Sequence, residues 1–268
     1  MEKYSLDNRL NLLKPIEHLA REAGEAIMQV YARAFVIETK SDSSPLTEAD
    51  LLANERILKG LKIISSEIPV LSEEAVNDFS GPNQMGCYWL VDPLDGTKEF
   101  IQRSGEFTVN IALIENGKPV LGVVYAPVTQ LLYSAVKNQG AYKRQAAGPA
   151  CKIQVRPKPA HGVWTVVGSR SHGGDLSQWL SRLGRYELKP VGSSLKFCLV
   201  AEGEADLYPR FGPTSLWDTA AAQIIVEEAG GQVIDLAGKA LDYSQPQFSL
   251  NPAFLVCSAA IDPAEFLN

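Results

Sequence analysis

Asp92 and Asp95 stand three residues apart in Trp89-Leu90-Val91-Asp92-Pro93-Leu94-Asp95-Gly96-Thr97, directly after a short apolar run. Proline follows the first carboxylate and glycine the second, so the chain turns sharply there. Such a turn draws both carboxylates and the Leu94 carbonyl towards one small volume. Hard divalent cations such as Mg²⁺ prefer all-oxygen donor sets of this kind, so the segment points to metal-dependent chemistry. Gly96 lets the backbone approach a ligand closely. Gly96-Thr97-Lys98-Glu99-Phe100 reads as the start of a short helix whose amides and positive end suit phosphate oxygens.

Three further acidic positions fall at the ends of expected elements. Glu73 closes an extended piece, Asp218 stands where a loop becomes a helix, and Asp50 lies in the first turn of a helix. Sites are commonly built at such ends. Carboxylates gathered there repel one another, and a bound cation relieves the repulsion. Each residue also has a plain structural reading. Thr47-x-x-Asp50 has the form of a capping box, Asp218 suits a helix N-cap and Glu73 a solvated surface. Asp-Pro and Asp-Gly are common turn formers.

The elements that must position these residues follow from hydrophobic periodicity. A helix is expected from about Asn8 to Arg33, with Ile16, Leu19, Ala20, Ala23, Ile27 and Val30 on one face. Phe35-Val36-Ile37 reads as extended, and Thr47 opens a second helix carrying Leu51, Leu52, Ile57, Leu58 and Leu61. Extended segments follow at 69–71 and 88–91. Strands at 107–114 and 120–125 are joined by the hairpin signal Asn116-Gly117, and another lies at 131–136. The composition changes at Lys143-Arg-Gln-Ala-Ala-Gly-Pro149, which divides the chain into an α+β domain (1–146) and an α/β domain (147–268). In the second, strands at 163–167 and 205–208 alternate with helices at 175–183, 195–201 and 218–229. The mixture of hairpins and alternation argues for layered α/β or α+β rather than a doubly wound sheet.

A chain of 268 residues, 46% hydrophobic and 21% charged, can bury a large core without metal or disulfide support. Its net charge of −6 does not attract nucleic acid or an anionic membrane. Cys87, Cys151, Cys198 and Cys257 are far apart, as are His18, His161 and His172, so no zinc or redox spacing is present. The cysteines read as reduced core residues of a cytoplasmic protein. Met1-Glu2-Lys3-Tyr4 opens into polar sequence, so a secretory signal is not expected, and no apolar run approaches the ~20 residues of a membrane span.

Three separated segments, Leu71-Ser72-Glu73-Glu74, Trp89 to Thr97 and Trp217-Asp218-Thr219-Ala220-Ala221, closely resemble the inositol monophosphatase superfamily in type and order. The resemblance runs over nearly the whole chain. It implies an αβαβα sandwich and a lithium-sensitive, Mg²⁺-dependent phosphatase holding two or three ions per site. By that resemblance Glu73, Asp92, Asp95, Asp218 and the Leu94 carbonyl are the metal ligands, and Asp50 and Thr97 orient the attacking water. Gly192-Ser193-Ser194-Leu195-Lys196-Phe197 to Gly203 and Leu207-Tyr208-Pro209-Arg210-Phe211-Gly212-Pro213-Thr214 resemble the bacterial CysQ type of 3′(2′),5′-bisphosphate nucleotidase within it. Ser169-Arg170-Ser171-His172 and Asn251-Pro252 fit the same type. Ala222 departs from the pattern, which often has glycine there, and its methyl is expected to crowd the helix near the site.

The implied reaction is hydrolysis of the 3′-phosphate of adenosine 3′,5′-bisphosphate to AMP, with the sulfated analogue as a second substrate and a place in sulfur assimilation. No Ser, Cys or His nucleophile motif is present, so water is the expected nucleophile. Lys196 and Arg210 are the candidate cations for the second phosphate, with His172 beside the ribose or 5′-phosphate. Gly96, Thr97, Ser193, Ser194 and Asp218 complete the expected substrate contacts. Each cation also has the plain reading of a solvated or ion-paired surface residue. Inositol monophosphatase and fructose-1,6-bisphosphatase activities are the alternatives, and a noncatalytic nucleotide-binding regulator ranks below them. The expected partner is a small nucleotide bisphosphate, without nucleic acid or a transmembrane segment, for a monomer or homodimer. Peripheral association with the cytoplasmic membrane face is implied by the resemblance alone.

Overall fold

A computed structural model describes residues 6–39, 45–159, 162–169, 174–262 and 266. The first helix, α1 (Leu6–Tyr31), buries all six apolar positions expected on one face. The extended piece begins later than expected. β1 is Ile37–Thr39, paired antiparallel with β2 (Pro45–Thr47), while Phe35 leaves the backbone ladder and packs its ring 4.8 Å from that of Phe100. Helix α2 (Glu48–Ile64) follows directly, capped by Thr47.

Seven strands form the first sheet: β3 (Val70–Ser72), β4 (Cys87–Asp95), β5 (Thr108–Glu115), β6 (Lys118–Ala126), β7 (Leu131–Val136), β8 (Ala141–Gln145) and β9 (Cys151–Ile153). They lie side by side in chain order, with β3 parallel to β4 and every later pair antiparallel. A 3₁₀ segment, Glu73–Asp78, leads out of β3, and the short helix α3 (Thr97–Ile101) follows β4. Residues 143–149 contain the end of β8 and the turn into β9, so the first sheet continues to Ile153. Cys151 is exposed on that edge strand, unlike the buried Cys87, Cys198 and Cys257, and all four thiols are free.

The second sheet has the order β11-β10-β12-β14-β13, built from β10 (Val163–Gly168), β11 (Arg185–Pro190), β12 (Leu207–Arg210), β13 (Gly231–Asp235) and β14 (Phe254–Ser258). Both neighbours of β10 are parallel to it; the remaining pairs are antiparallel. Helix α4 is Gly174–Leu180, α5 is Leu195–Ala201 and α6 is Ala220–Glu228.

Alternation along the strands explains the layering. In β4 and β5, Trp89, Val91, Ile111 and Leu113 join the core under α1 and α2, while Leu90, Ala112 and Ile114 join the core that contains α5 and α6. In the second sheet Val167, Tyr208, Phe254 and Val256 face that same middle core. Val166, Leu207, Leu255 and Cys257 face a third one with Leu176, Trp179 and Leu180 around α4. The order is therefore α, β, α, β, α. Strands buried on both faces read as near-continuous apolar runs, which is why the central ones are legible in the sequence. No helix among the described residues is long and apolar enough to cross a membrane.

Candidate active site

The Asp-Pro-Leu-Asp turn is a β-bulge near the end of β4. Asp92 pairs with Asn110 and Asp95 with Thr108, so β4 carries one residue more than β5 across this interval. Bulges tolerate proline and re-aim side chains, and Pro93 and Leu94 occupy this one. Asp92 is buried, and its Oδ1 accepts the Leu94 amide at 3.0 Å. Asp218 comes from the loop before α6 and accepts the Ser215 amide at 2.9 Å. Thr219, not Asp218, is the N-cap of α6, so the carboxylate is not consumed by capping.

One oxygen from each of Asp92, Asp95 and Asp218 lies within 4.8 Å of the others. Burial raises the Asp92 carboxyl well above its ordinary range, and the charges of Glu73, Asp95 and Asp218 add to the shift. Asp218 is raised by burial first, then by Asp95 and Glu73. Glu73, half-buried at the start of the 3₁₀ segment, is thus electrostatically part of the cluster although outside its closest triad. Several carboxylates held together against their own repulsion, with only oxygen donors around them, fit a hard divalent cation such as Mg²⁺.

Asp50 serves two partners with its two oxygens. Oδ2 accepts the Thr47 amide at 2.8 Å and the Thr47 hydroxyl at 2.6 Å, completing the capping box of α2. Oδ1 accepts the Thr97 hydroxyl at 3.1 Å. The capping reading of Asp50 therefore holds, and its second oxygen ties the start of α2 to Thr97. The Leu94 carbonyl lies 3.4 Å from the same Thr97 hydroxyl. Gly96 caps α3 with φ +95°, and a Cβ there would stand 3.2 Å from the Glu106 carbonyl oxygen. Because α3 has five residues, it offers first-turn amides and little aligned dipole.

A cavity of about 310 Å³ opens beside the cluster, lined on one side by Asp95, Gly96 and Asp218 and on the other by Ser193, Lys196 and Arg210. Lys196 is buried, yet no carboxylate lies within ion-pair distance of its ammonium among the described residues. Its Nζ donates to the Ser193 carbonyl at 2.7 Å and lies 5.4 Å from the centre of the Tyr208 ring. Burial pushes the ammonium below the ordinary lysine range; Asp95, Glu99 and Asp218 oppose that shift, and Arg210 adds to it. Arg210 donates to Thr214 Oγ1 at 2.8 Å and to the Pro213 carbonyl at 2.9 Å. It too lacks a carboxylate partner among the described residues. The solvated reading of Lys196 fails, and the ion-paired reading of Arg210 finds no partner among the described residues; Arg210 itself is half-buried.

Ser194 lines the same cavity and is tied to the carboxylate cluster. Its amide donates to Asp95 Oδ2 at 2.6 Å, and its hydroxyl lies 2.7 Å from that oxygen and 2.7 Å from the Asp218 carbonyl oxygen. Both its amide and its hydroxyl are thereby engaged by the carboxylate cluster. Ser193 lines the cavity in a left-handed conformation, φ +50°. His172 lies outside the described residues.

The inositol monophosphatase family model matches residues 9–261. The chain belongs to the inositol monophosphatase family. A Salmonella typhimurium protein named 3′(2′),5′-bisphosphate nucleotidase CysQ is 54% identical over 249 residues, covering 91% of this chain and 99% of the relative. The protein of that name from Escherichia coli strain K12 is 51% identical over the same shares. The crystal structure of CysQ from Bacteroides thetaiotaomicron, described as a bacterial member of the family, superposes with a TM-score of 0.78 at 39% identity, covering 97% of this chain and 99% of that one.

Ala222, where the family pattern often has glycine, lies on the buried face of α6. The methyl packs in the middle core at 1% exposure. Helix α6 approaches the sheet closely at Gly122 of β6, where a Cβ would stand 2.3 Å from the Ala221 carbonyl oxygen. Sequence reasoning missed Asn110, whose Nδ2 donates to Ser194 Oγ at 2.9 Å and lies 3.3 Å from Asp95 Oδ2. The signal was present: Thr108 and Asn110, two residues apart, interrupt an otherwise apolar strand buried on both faces. Tyr208 and Glu99 also line the cavity and were not singled out.

Proposed function

We propose that this chain is a Mg²⁺-dependent phosphatase that hydrolyses the 3′-phosphate of adenosine 3′,5′-bisphosphate to AMP and phosphate. One observation carries the reading. The cavity has Asp95 and Asp218, two of the three clustered carboxylates, on one wall and, on the other, a buried lysine with no carboxylate within ion-pair distance among the described residues. That is a site with two anion-binding poles, one through cations and one through a fixed ammonium, and it suits a substrate with two phosphates. Relatives named 3′(2′),5′-bisphosphate nucleotidase at 51–54% identity support the choice of substrate.

Glu73, Asp92, Asp95, Asp218 and the Leu94 carbonyl hold two or three Mg²⁺ in this reading. Bound Mg²⁺ supplies charge stabilisation at the phosphoryl and leaving oxygens and makes water a better nucleophile. The chain's own residues do the positioning. The Thr97 hydroxyl gives its proton to Asp50 Oδ1, so its lone pairs are left to accept from the attacking water and aim that oxygen at phosphorus. The bond to the 3′-oxygen breaks as the bond to water oxygen forms, and the proton released by water ends on the leaving alcohol. Lys196 and Arg210 hold the 5′-phosphate, and Gly96 leaves room for the scissile one. A cytoplasmic setting fits four free thiols. Chelated enzyme should release no phosphate from the bisphosphate and recover on addition of Mg²⁺. Full turnover in the presence of excess chelator contradicts the assignment.

A further inference from the structure

The peptide group joining Ser193 to Ser194 is held at both ends. Its carbonyl oxygen accepts from Lys196 Nζ at 2.7 Å, and its N–H donates to Asp95 Oδ2 at 2.6 Å. The residue before the bond, Ser193, has φ +50°, a conformation that non-glycine residues adopt only when their surroundings fix it. The Ser194 side chain adds a second tie, with its hydroxyl 2.7 Å from Asp95 Oδ2 and 2.7 Å from the Asp218 carbonyl oxygen. Asn110 Nδ2 completes the group by donating to that hydroxyl. The donors converge on Asp95 Oδ2 and leave Oδ1 without a protein donor among the described residues.

We propose that Lys196 and Ser194 are positioning residues for Asp95: Lys196 acts on the carboxylate through the Ser193–Ser194 peptide, and Ser194 acts on it directly. The inference rests on the reading that Asp95 is a metal ligand. A cation on the carbonyl oxygen of an amide polarises the group and strengthens its N–H as a donor. The same ammonium that receives a phosphate therefore also pins the rotation of a peptide plane whose other end orients a metal ligand. Hydrogen-bond partners behind a ligand commonly matter about 10–100-fold for metal affinity. By linkage, an anion that settles Lys196 on the loop tightens metal binding, and metal loading tightens anion binding by the same factor.

The test separates this tie from simple charge effects by sign. Isothermal titration of nucleotide-free protein with Mn²⁺ as the probe gives the metal affinity directly. Removing a positive charge near a cation site strengthens metal binding by electrostatics alone. The peptide tie predicts the opposite: Lys196→Met binds Mn²⁺ several-fold more weakly than wild type. Ser194→Ala, which keeps the amide donor and loses the hydroxyl, binds about 10-fold more weakly. Far-UV circular dichroism and melting curves establish that both variants are folded, and Ser194→Ala carries the test if Lys196→Met does not fold. Affinity equal to or tighter than wild type in a folded Lys196→Met, or unchanged affinity in Ser194→Ala, overturns the inference while leaving the phosphatase reading intact. A wild-type chain that binds no divalent metal overturns the reading on which it rests.

Discussion

Replacing Lys196 with methionine keeps an unbranched apolar stem and removes the ammonium, whose nitrogen lies 5.4 Å from the centre of the Tyr208 ring. Two of its three donors are engaged by the Ser193 carbonyl at 2.7 Å and the Val191 carbonyl at 3.4 Å, which leaves one for a ligand. A hydrogen bond to a charged group contributes about 1.5–3 kcal/mol. At 1.4 kcal/mol per factor of ten, losing it weakens binding of the 5′-phosphate by roughly 10- to 150-fold. Damage to the loop and to Asp95 acts equally on substrates with and without that phosphate, so it cancels in a ratio. The assay is kcat/KM for adenosine 3′,5′-bisphosphate divided by kcat/KM for adenosine 3′-monophosphate, at saturating Mg²⁺. The ratio should fall at least about tenfold in Lys196→Met, carried mainly by KM for the bisphosphate. An unchanged ratio, with both substrates losing equally, refutes the assignment of Lys196 to the second phosphate.

Asp50 and Thr97 separate by their effects on folding. Thr97→Val should lower kcat by about 10² or more with an unchanged melting temperature. Asp50→Ala should do the same and also lose about 1 kcal/mol of stability in urea titration, because Asp50 completes the capping box of α2. The cluster makes stability depend on pH. Asp92 and Asp218 hold protons in the folded chain above ~4, where the unfolded chain has released them. Stability in chelator therefore falls as pH rises towards the folded values. Added Mg²⁺ should raise the melting temperature more at pH 8.5 than at pH 5.5, and a shift independent of pH contradicts the repulsive cluster. Gly122→Ala should cost about 1–3 kcal/mol, since the new methyl meets the backbone of α6 at 2.3 Å; equilibrium unfolding measures it.

Legibility in the sequence tracked physical cause. The strands 108–115, 118–126 and 131–136 are buried on both faces and appear as apolar runs, and α1 shows its buried stripe. β11 has every residue exposed, so Arg-Tyr-Glu-Leu-Lys-Pro carries no burial signal, and only its parallel pairing with β10 makes it a strand. The acidic positions were legible because the Asp-Pro-Leu-Asp-Gly turn is local and because the family resemblance linked it to Glu73 and Asp218. What the sequence hid was the use of donors across space. Ser194 and Asp95 are 99 residues apart, and Asn110 lies 84 residues from Ser194. No periodicity reports which of two hydroxyls in Ser193-Ser194 turns inward. Only a strand that tolerates a buried asparagine hinted at the network behind the carboxylates.

The central claim is that two anion-binding poles in one cavity select a nucleotide bisphosphate. Its most direct test is phosphate release by the purified chain with Mg²⁺, compared as kcat/KM across adenosine 3′,5′-bisphosphate, inositol 1-phosphate and fructose 1,6-bisphosphate. The account predicts a clear preference for adenosine 3′,5′-bisphosphate, with AMP as the product. Preference for inositol 1-phosphate, which has no second phosphate for Lys196 and Arg210 to hold, would contradict it.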